Sequence, residues 1–141
     1  MSVLDETTSR TIRAAVQDLP NPVTLLWYTS AIDTWYTRAE RALLEEIARS
    51  SPRIELRVFA DRWDAAREAQ VGIRRTPAIV LVADKDCGIR FYGAPDGYEL
   101  ETFLGLVRAA GERRSGLGES DIARVRELRR PIHLEVLASP S

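Results

Sequence analysis

The apolar and polar positions change period several times along the chain, and each change predicts an element. Leu4, Ile12, Val16 and Leu19 recur at loosely helical spacing and stop at Pro20-Asn21-Pro22, which predicts a lead-in helix of roughly 15 residues closed by a strong breaker. Val23 to Tyr28 is almost continuously apolar, β-branched and aromatic, as expected of a strand covered on both faces. Asp33 or a neighbour then caps a helix carrying Ala39, Ala42, Leu43 and Ile47 on one face and stopping near Ser51-Pro52. Ile54 to Val58 alternates strictly and reads as a half-exposed strand, followed by a short charged helix over Asp61–Gln70. Ala78 to Val82 is a second buried strand, and a turn over Asp84–Gly88 leads to Ile89–Tyr92, which completes a hairpin. Gly93 to Gly97 forms another turn, after which Leu100, Phe103, Leu104 and Val107 mark one face of a further helix.

Helices between the early strands, then a hairpin and a helix, specify an α/β domain with a mixed central sheet and helices on both faces. A chain of 141 residues that is 45% hydrophobic is long enough to bury one real core, so a single main domain is expected. Its 20 basic residues face 21 acidic ones, which leaves no net field to recruit nucleic acid or an anionic membrane. Lys85 is the only lysine among the basic residues, and the arginines are spread along the chain, a compositional bias and not a binding patch. With one cysteine, Cys87, and one histidine, His133, the chain alone builds no disulfide, no dithiol pair and no cysteine-rich zinc site. Met1 to Pro20 includes Asp5 and Glu6 and has no unbroken apolar run, so neither a signal peptide nor a membrane anchor is read there, and a cytoplasmic location is the default.

Three stretches resemble the thioredoxin superfamily, in particular the tandem glutaredoxin-like protein disulfide oxidoreductases and the N-terminal region of alkyl hydroperoxide reductase flavoprotein subunits. Asn21 to Thr29 looks like the opening strand of that family. Val71 to Ala78 is similar to the segment that carries its cis-proline, placed here on Pro77. Ile89-Arg90-Phe91-Tyr92-Gly93-Ala94-Pro95-Asp96-Gly97-Tyr98-Glu99-Leu100 looks like the last strand, glycine-rich turn and final helix, and its order of aromatic, Gly, Pro, Gly, aromatic and acid is the most specific of the three. The resemblance implies a thioredoxin-like fold.

It also exposes a departure. Active members carry Cys-x-x-Cys at the start of the helix after the first strand, and here Thr34-Trp35-Tyr36-Thr37 stands in that place. Disulfide exchange needs a thiolate to attack and a second thiol to resolve the mixed disulfide, and threonine hydroxyls do neither at neutral pH. The unit is therefore expected to be redox-dead, with no catalytic residue and no cofactor. The shape of the old site is expected to remain: a proline loop at Thr76-Pro77 beside a helix N-terminus, with Trp35 and Tyr36 as an amphipathic surface for an extended peptide or protein partner. Packing of both rings against a neighbouring helix or domain is the competing expectation.

The last segment suggests a repeat. Ser120 caps a predicted helix bearing Ile122, Val125 and Leu128, and Pro131 to Leu137 then reads as a strand, repeating the lead-in-helix, proline, strand pattern about 110 residues on. Residues 1–112 are thus read as a thioredoxin-like domain, and 113–141 as a linker, helix and first strand resembling the start of a second unit. Either the chain is a fragment or remnant of a two-unit redox protein, with the strand leading through Ala138-Ser139-Pro140-Ser141 to a dithiol beyond, or the strand serves as an edge strand here or pairs with another chain.

Cys87 is placed in the hairpin turn beside Asp84 and Asp86, where negative charge disfavours a thiolate; it reads as a bystander, with a redox role as the alternative. His133 has no assembled partners that point to metal or acid-base work, and Gly116-Leu117-Gly118 lacks the preceding strand of a phosphate loop. Three function classes stay open: a non-catalytic thioredoxin-like scaffold or interaction module, most simply half of a tandem disulfide oxidoreductase or peroxide-reducing system; an oxidoreductase whose dithiol lies beyond Ser141 or on a partner; and a homodimeric structural protein joined through its C-terminal strand. The expected partner is a protein or a second thioredoxin-like unit.

Overall fold

The computed structural model describes residues 4 to 139. Asp5 accepts a hydrogen bond from Thr8 N at 2.8 Å and starts α1 (Glu6–Val16). The chain then runs through β1 (Val23–Ser30), α2 (Trp35–Arg49), β2 (Ile54–Asp61), α3 (Ala65–Gln70), β3 (Ala78–Val82), β4 (Asp86–Tyr92), α4 (Glu99–Glu112) and α5 (Glu119–Arg126). The sheet has the order β2-β1-β3-β4, with β1 and β2 parallel and the other neighbours antiparallel. Trp27, near the centre of β1, stands opposite Val58 on one side and Ile79 on the other.

Strand alternation sorts β1 between two cores. Val23, Leu25 and Trp27 join Ile79 and Leu81 beneath Ile12 and Val16 of α1, Leu43, Leu44 and Ile47 of α2, and Phe103, Leu104 and Val107 of α4. On the opposite face Tyr28, Ala78 and Val80 pack with Ile73, Trp63 and Val71, the residues that flank α3. Trp63 Nε1 donates to Thr29 O at 2.9 Å, which fixes that smaller layer to the end of β1.

Several boundaries differ from the pattern. Strand β2 continues to Asp61, because Ser30 and Asp61 still pair, and the helix expected from Asp61 starts only at Ala65, where Asp64 accepts from Arg67 N. Strand β4 begins at Asp86, opposite Val82, so Cys87 lies on the strand and not in the turn. Gly118, not Ser120, occupies the N-cap of α5. The strand read over Pro131–Leu137 does not form: residues 131–139 carry no regular structure, join no edge of the sheet, and leave Leu134, Val136 and Leu137 84, 91 and 87% exposed. An alternating apolar segment becomes a strand only where a ladder and a core face receive it, and this domain offers that segment neither. Pro140 and Ser141 lie outside the described residues. None of the described helices is long and apolar enough to cross a membrane.

The apolar spacing of α2 missed one buried position. Glu40 is 1% exposed, while the predicted core positions Ala39 and Ala42 are only half-buried. Burial pushes its carboxyl up to about 7; the nearby charge of Asp96 adds to the shift, whereas the Trp27 indole facing it works in the opposite direction.

This packing has consequences for stability at two positions. A carboxyl with a raised folded-state pKa contributes its stability in full below the ordinary value of 4.5 and loses it as pH rises through about 7. Urea unfolding of the wild type is therefore expected to show about 3 kcal/mol more loss of stability across that window than Glu40→Gln shows, and equal slopes would refute the assignment. At Gly111 an added Cβ would stand 2.7 Å from Leu19 Cδ2. Gly111→Ala is expected to lower stability, because overpacking of about 1–3 kcal/mol exceeds a helix-propensity gain of at most about 1 kcal/mol. A raised melting temperature would contradict it.

Candidate functional site

The C-terminal end of β1, the start of β3 and the end of β4 meet at one end of the sheet, since Tyr28 pairs with Ala78 and Ala78 pairs with Tyr92. Three connections converge there: the one that opens α2, the one ahead of β3, and the turn between β4 and α4.

Thr34 and Thr37 form a reciprocal cap on α2. Thr37 N donates to Thr34 Oγ1 at 3.1 Å, and Thr34 N donates to Thr37 Oγ1 at 2.8 Å. The two hydroxyls are thus occupied in holding the helix start. Between them Trp35 projects into solvent at 74% exposure, while Tyr36 is 38% exposed and meets the Trp35 ring edge-on at 5.9 Å. Tyr36 Oη accepts from Ala94 N at 3.1 Å, which ties α2 to the turn after β4. The expectation of two equivalent rings therefore divides: Trp35 is the free surface and Tyr36 the strut beneath it.

The Thr76–Pro77 peptide bond is cis, and both residues are half-buried. Pro77 O accepts from Gly93 N at 3.2 Å, so the same turn that receives Tyr36 also receives the proline loop. Gly93 holds φ at +89°, and a Cβ there would come within 3.7 Å of Tyr36 Oη. Tyr92 secures the loop from below: its hydroxyl accepts from Arg74 N at 3.1 Å, and the Arg75 guanidinium lies 4.5 Å from its ring centre. Trp35, Tyr36, Thr76 and Pro77 are brought to one end of the sheet through the Gly93-Ala94 turn. Ile32 at 70% and Tyr98 at 83% exposure add apolar surface on two of the three connections. Ile32 did not stand out in the sequence, because a single apolar residue in a loop carries no period, and Tyr98 was legible only as part of the glycine-rich turn motif.

Charge at this end is balanced. Arg38 pairs with Asp33 at 3.1 Å, and Arg41 lies over the Trp27 ring at 5.2 Å. A cavity of about 340 Å³ lies beside the start of α2, lined by Thr29, Asp33, Thr37, Arg38 and Arg41 among others. From the other direction the tail reaches the proline loop: Arg74 donates to Glu135, which also bonds His133 Nε2 at 2.9 Å, and both partners hold the Glu135 carboxyl below its ordinary range.

Cys87 is exposed, and the register places it at the far end of β4 from Tyr92, about 17 Å away by strand rise. It is not brought to Thr34–Thr37. No cluster of His, Cys, Asp and Glu able to hold a metal ion occurs among the described residues.

No family model and no curated protein matches the chain. Solved structures do. A mutant of AhpF, an alkylhydroperoxide reductase component from Enterococcus faecalis, aligns over 89% of this chain at 25% identity with a TM-score of 0.73. A separate structure of the N-terminal domain of AhpF from the same organism aligns over 83% at 27% identity with a TM-score of 0.68. A protein disulfide oxidoreductase from Aeropyrum pernix aligns over 90% at 22% identity with a TM-score of 0.72. This chain spans 61, 57 and 57% of those three chains, respectively. Sheet order, flanking helices and these likenesses agree on a thioredoxin-like fold, as in the N-terminal domain of AhpF and the disulfide oxidoreductase.

Proposed function

We propose that this unit is a non-catalytic thioredoxin-like module that docks a second, dithiol-bearing thioredoxin-like unit and braces it. The observation that carries the reading is the state of residues 34–37: the positions where a working member needs two sulfurs hold two hydroxyls engaged in capping, while the exposed Trp35 and the Thr76-Pro77 loop remain at that end. A redox-inactive unit with this surface intact is suited to recognition by apolar contact and backbone hydrogen bonding. The neighbours support a redox setting, since one is named an alkylhydroperoxide reductase component and another a disulfide oxidoreductase. Their chains are also longer than the part this one matches, which favours a second unit as the occupant.

The exposed apolar side chains of residues 132–137 support the same reading, because they alternate in sequence like a strand and find no sheet to join among the described residues. A related second reading is favoured by the same coverage: thiol-disulfide exchange performed by a dithiol outside these 141 residues, in the same polypeptide or on a partner, with this unit presenting it. A homodimer joined through residues 131–137 is a third outcome, distinguished by mass.

A photo-crosslinking residue at position 35 or at position 134, introduced into the natural protein in its source cells, reads the occupant directly. The expected adduct contains a Cys-x-x-Cys thioredoxin-like unit, and Trp35→Ala with Tyr36→Ala weakens binding of that unit by at least about tenfold. Adducts only with a second copy of the chain, or an unchanged affinity in the double variant, would overturn the docking surface.

A further inference from the structure

The buried side-chain polar atoms without a hydrogen-bond partner among the described residues are Trp27 Nε1, Thr29 Oγ1 and both carboxyl oxygens of Glu40, and all belong to the contact between β1 and α2. Buried polar groups are normally satisfied, so a concentration of orphans in one contact marks a place where the native packing is held at a cost. The contact lies behind the N-terminal half of α2. Glu40 comes four residues after Tyr36, so the two share a helix face, and Tyr36 is the strut that holds Ala94 N.

The surroundings of Glu40 suit a neutral acid and oppose a carboxylate. From β1 the Trp27 indole N–H faces it and offsets part of the cost of a charge, but its geometry falls short of a full hydrogen bond. From the turn ahead of α4 it meets the negative charge of Asp96. On its own helix the next residue, Arg41, is turned to the Trp27 ring, and no salt bridge to Glu40 forms. A carboxylate created in this place has no counter-ion, and its cheapest relief is to draw the first turns of α2 away from β1 toward water.

We infer that Glu40 is a proton-operated latch: protonated, it lets α2 seat against β1 with Tyr36 bonded to the Gly93-Ala94 turn, and ionised, it unseats that half of the helix and frees Tyr36 and Trp35 together. The latch is independent of what docks on the surface, and it makes the aromatic end of the molecule sensitive to pH near neutrality.

The test is a ¹H–¹⁵N and carboxyl ¹³C titration of the wild-type chain with no partner added. The expected result is that the Glu40 carboxyl, the Trp27 indole N–H and the Ala94 amide shift together with one midpoint near 7, and that Glu40→Gln removes the transition from the other two signals. Glu40→Met serves as a second uncharged variant should the amide perturb folding. A Glu40 midpoint near 4.5, an Ala94 amide that does not move with Glu40, or the same Ala94 transition in both variants would overturn the latch. None of these outcomes depends on the docking partner, so the latch and the docking surface fail separately.

Discussion

Strand β1 is hydrogen-bonded on both edges and covered on both faces, and the rest of the molecule is organised by that constraint. Its parallel register with β2 and antiparallel register with β3 bring Ser30 opposite Asp61 and Tyr28 opposite Ala78. That arrangement sends the opening of α2 and the Thr76-Pro77 loop to the same end of the sheet. Because alternate side chains of β1 enter two different cores, a shift of one residue would exchange Trp27 with Tyr28 and dismantle both layers. The candidate site is therefore a consequence of register before it is a matter of surface residues.

Within that frame, Thr34 and Thr37 show what two threonines do at a helix start. A helix start needs acceptors for its free N–H groups, and a hydroxyl at the N-cap and another at N3 supply them reciprocally. Two threonines are a good answer to the capping problem and no answer to the problem of disulfide exchange. At that end of the sheet a turn centred on Gly93-Ala94 receives both Tyr36 and Pro77, and the Trp35 indole is left in water.

The elements with a strong period were legible from residues alone. The continuous apolar run of β1, the alternation of Ile54 to Val58 and the spaced apolar residues of α4 each fixed an element, and the glycine-rich turn marked the passage from β4 to α4. Boundaries set by single side-chain caps were less visible: Asp61 and Asp64 are both plausible helix openers, and only the pairing of Ser30 with Asp61 decides between them. Glu40 was invisible for the opposite reason, since a glutamate on a charged helix reads as solvent-facing until the fold turns that face inward. Residues 131–137 alternate like a strand, but alternation states a preference and the ladder that satisfies it must come from elsewhere. Trp35 and Pro77 were found through resemblance and local chemistry; their meeting through the Gly93-Ala94 turn required the structure.

The proposed role is recognition without thiol exchange. The reaction that probes it most sharply is reduction of a protein disulfide by the purified 141-residue chain with excess dithiol as electron source, run beside Cys87→Ser. Both are expected to proceed at the rate of the dithiol alone. Turnover above that rate in the wild type, lost in Cys87→Ser, would show that the chain carries its own redox centre and is no mere docking module.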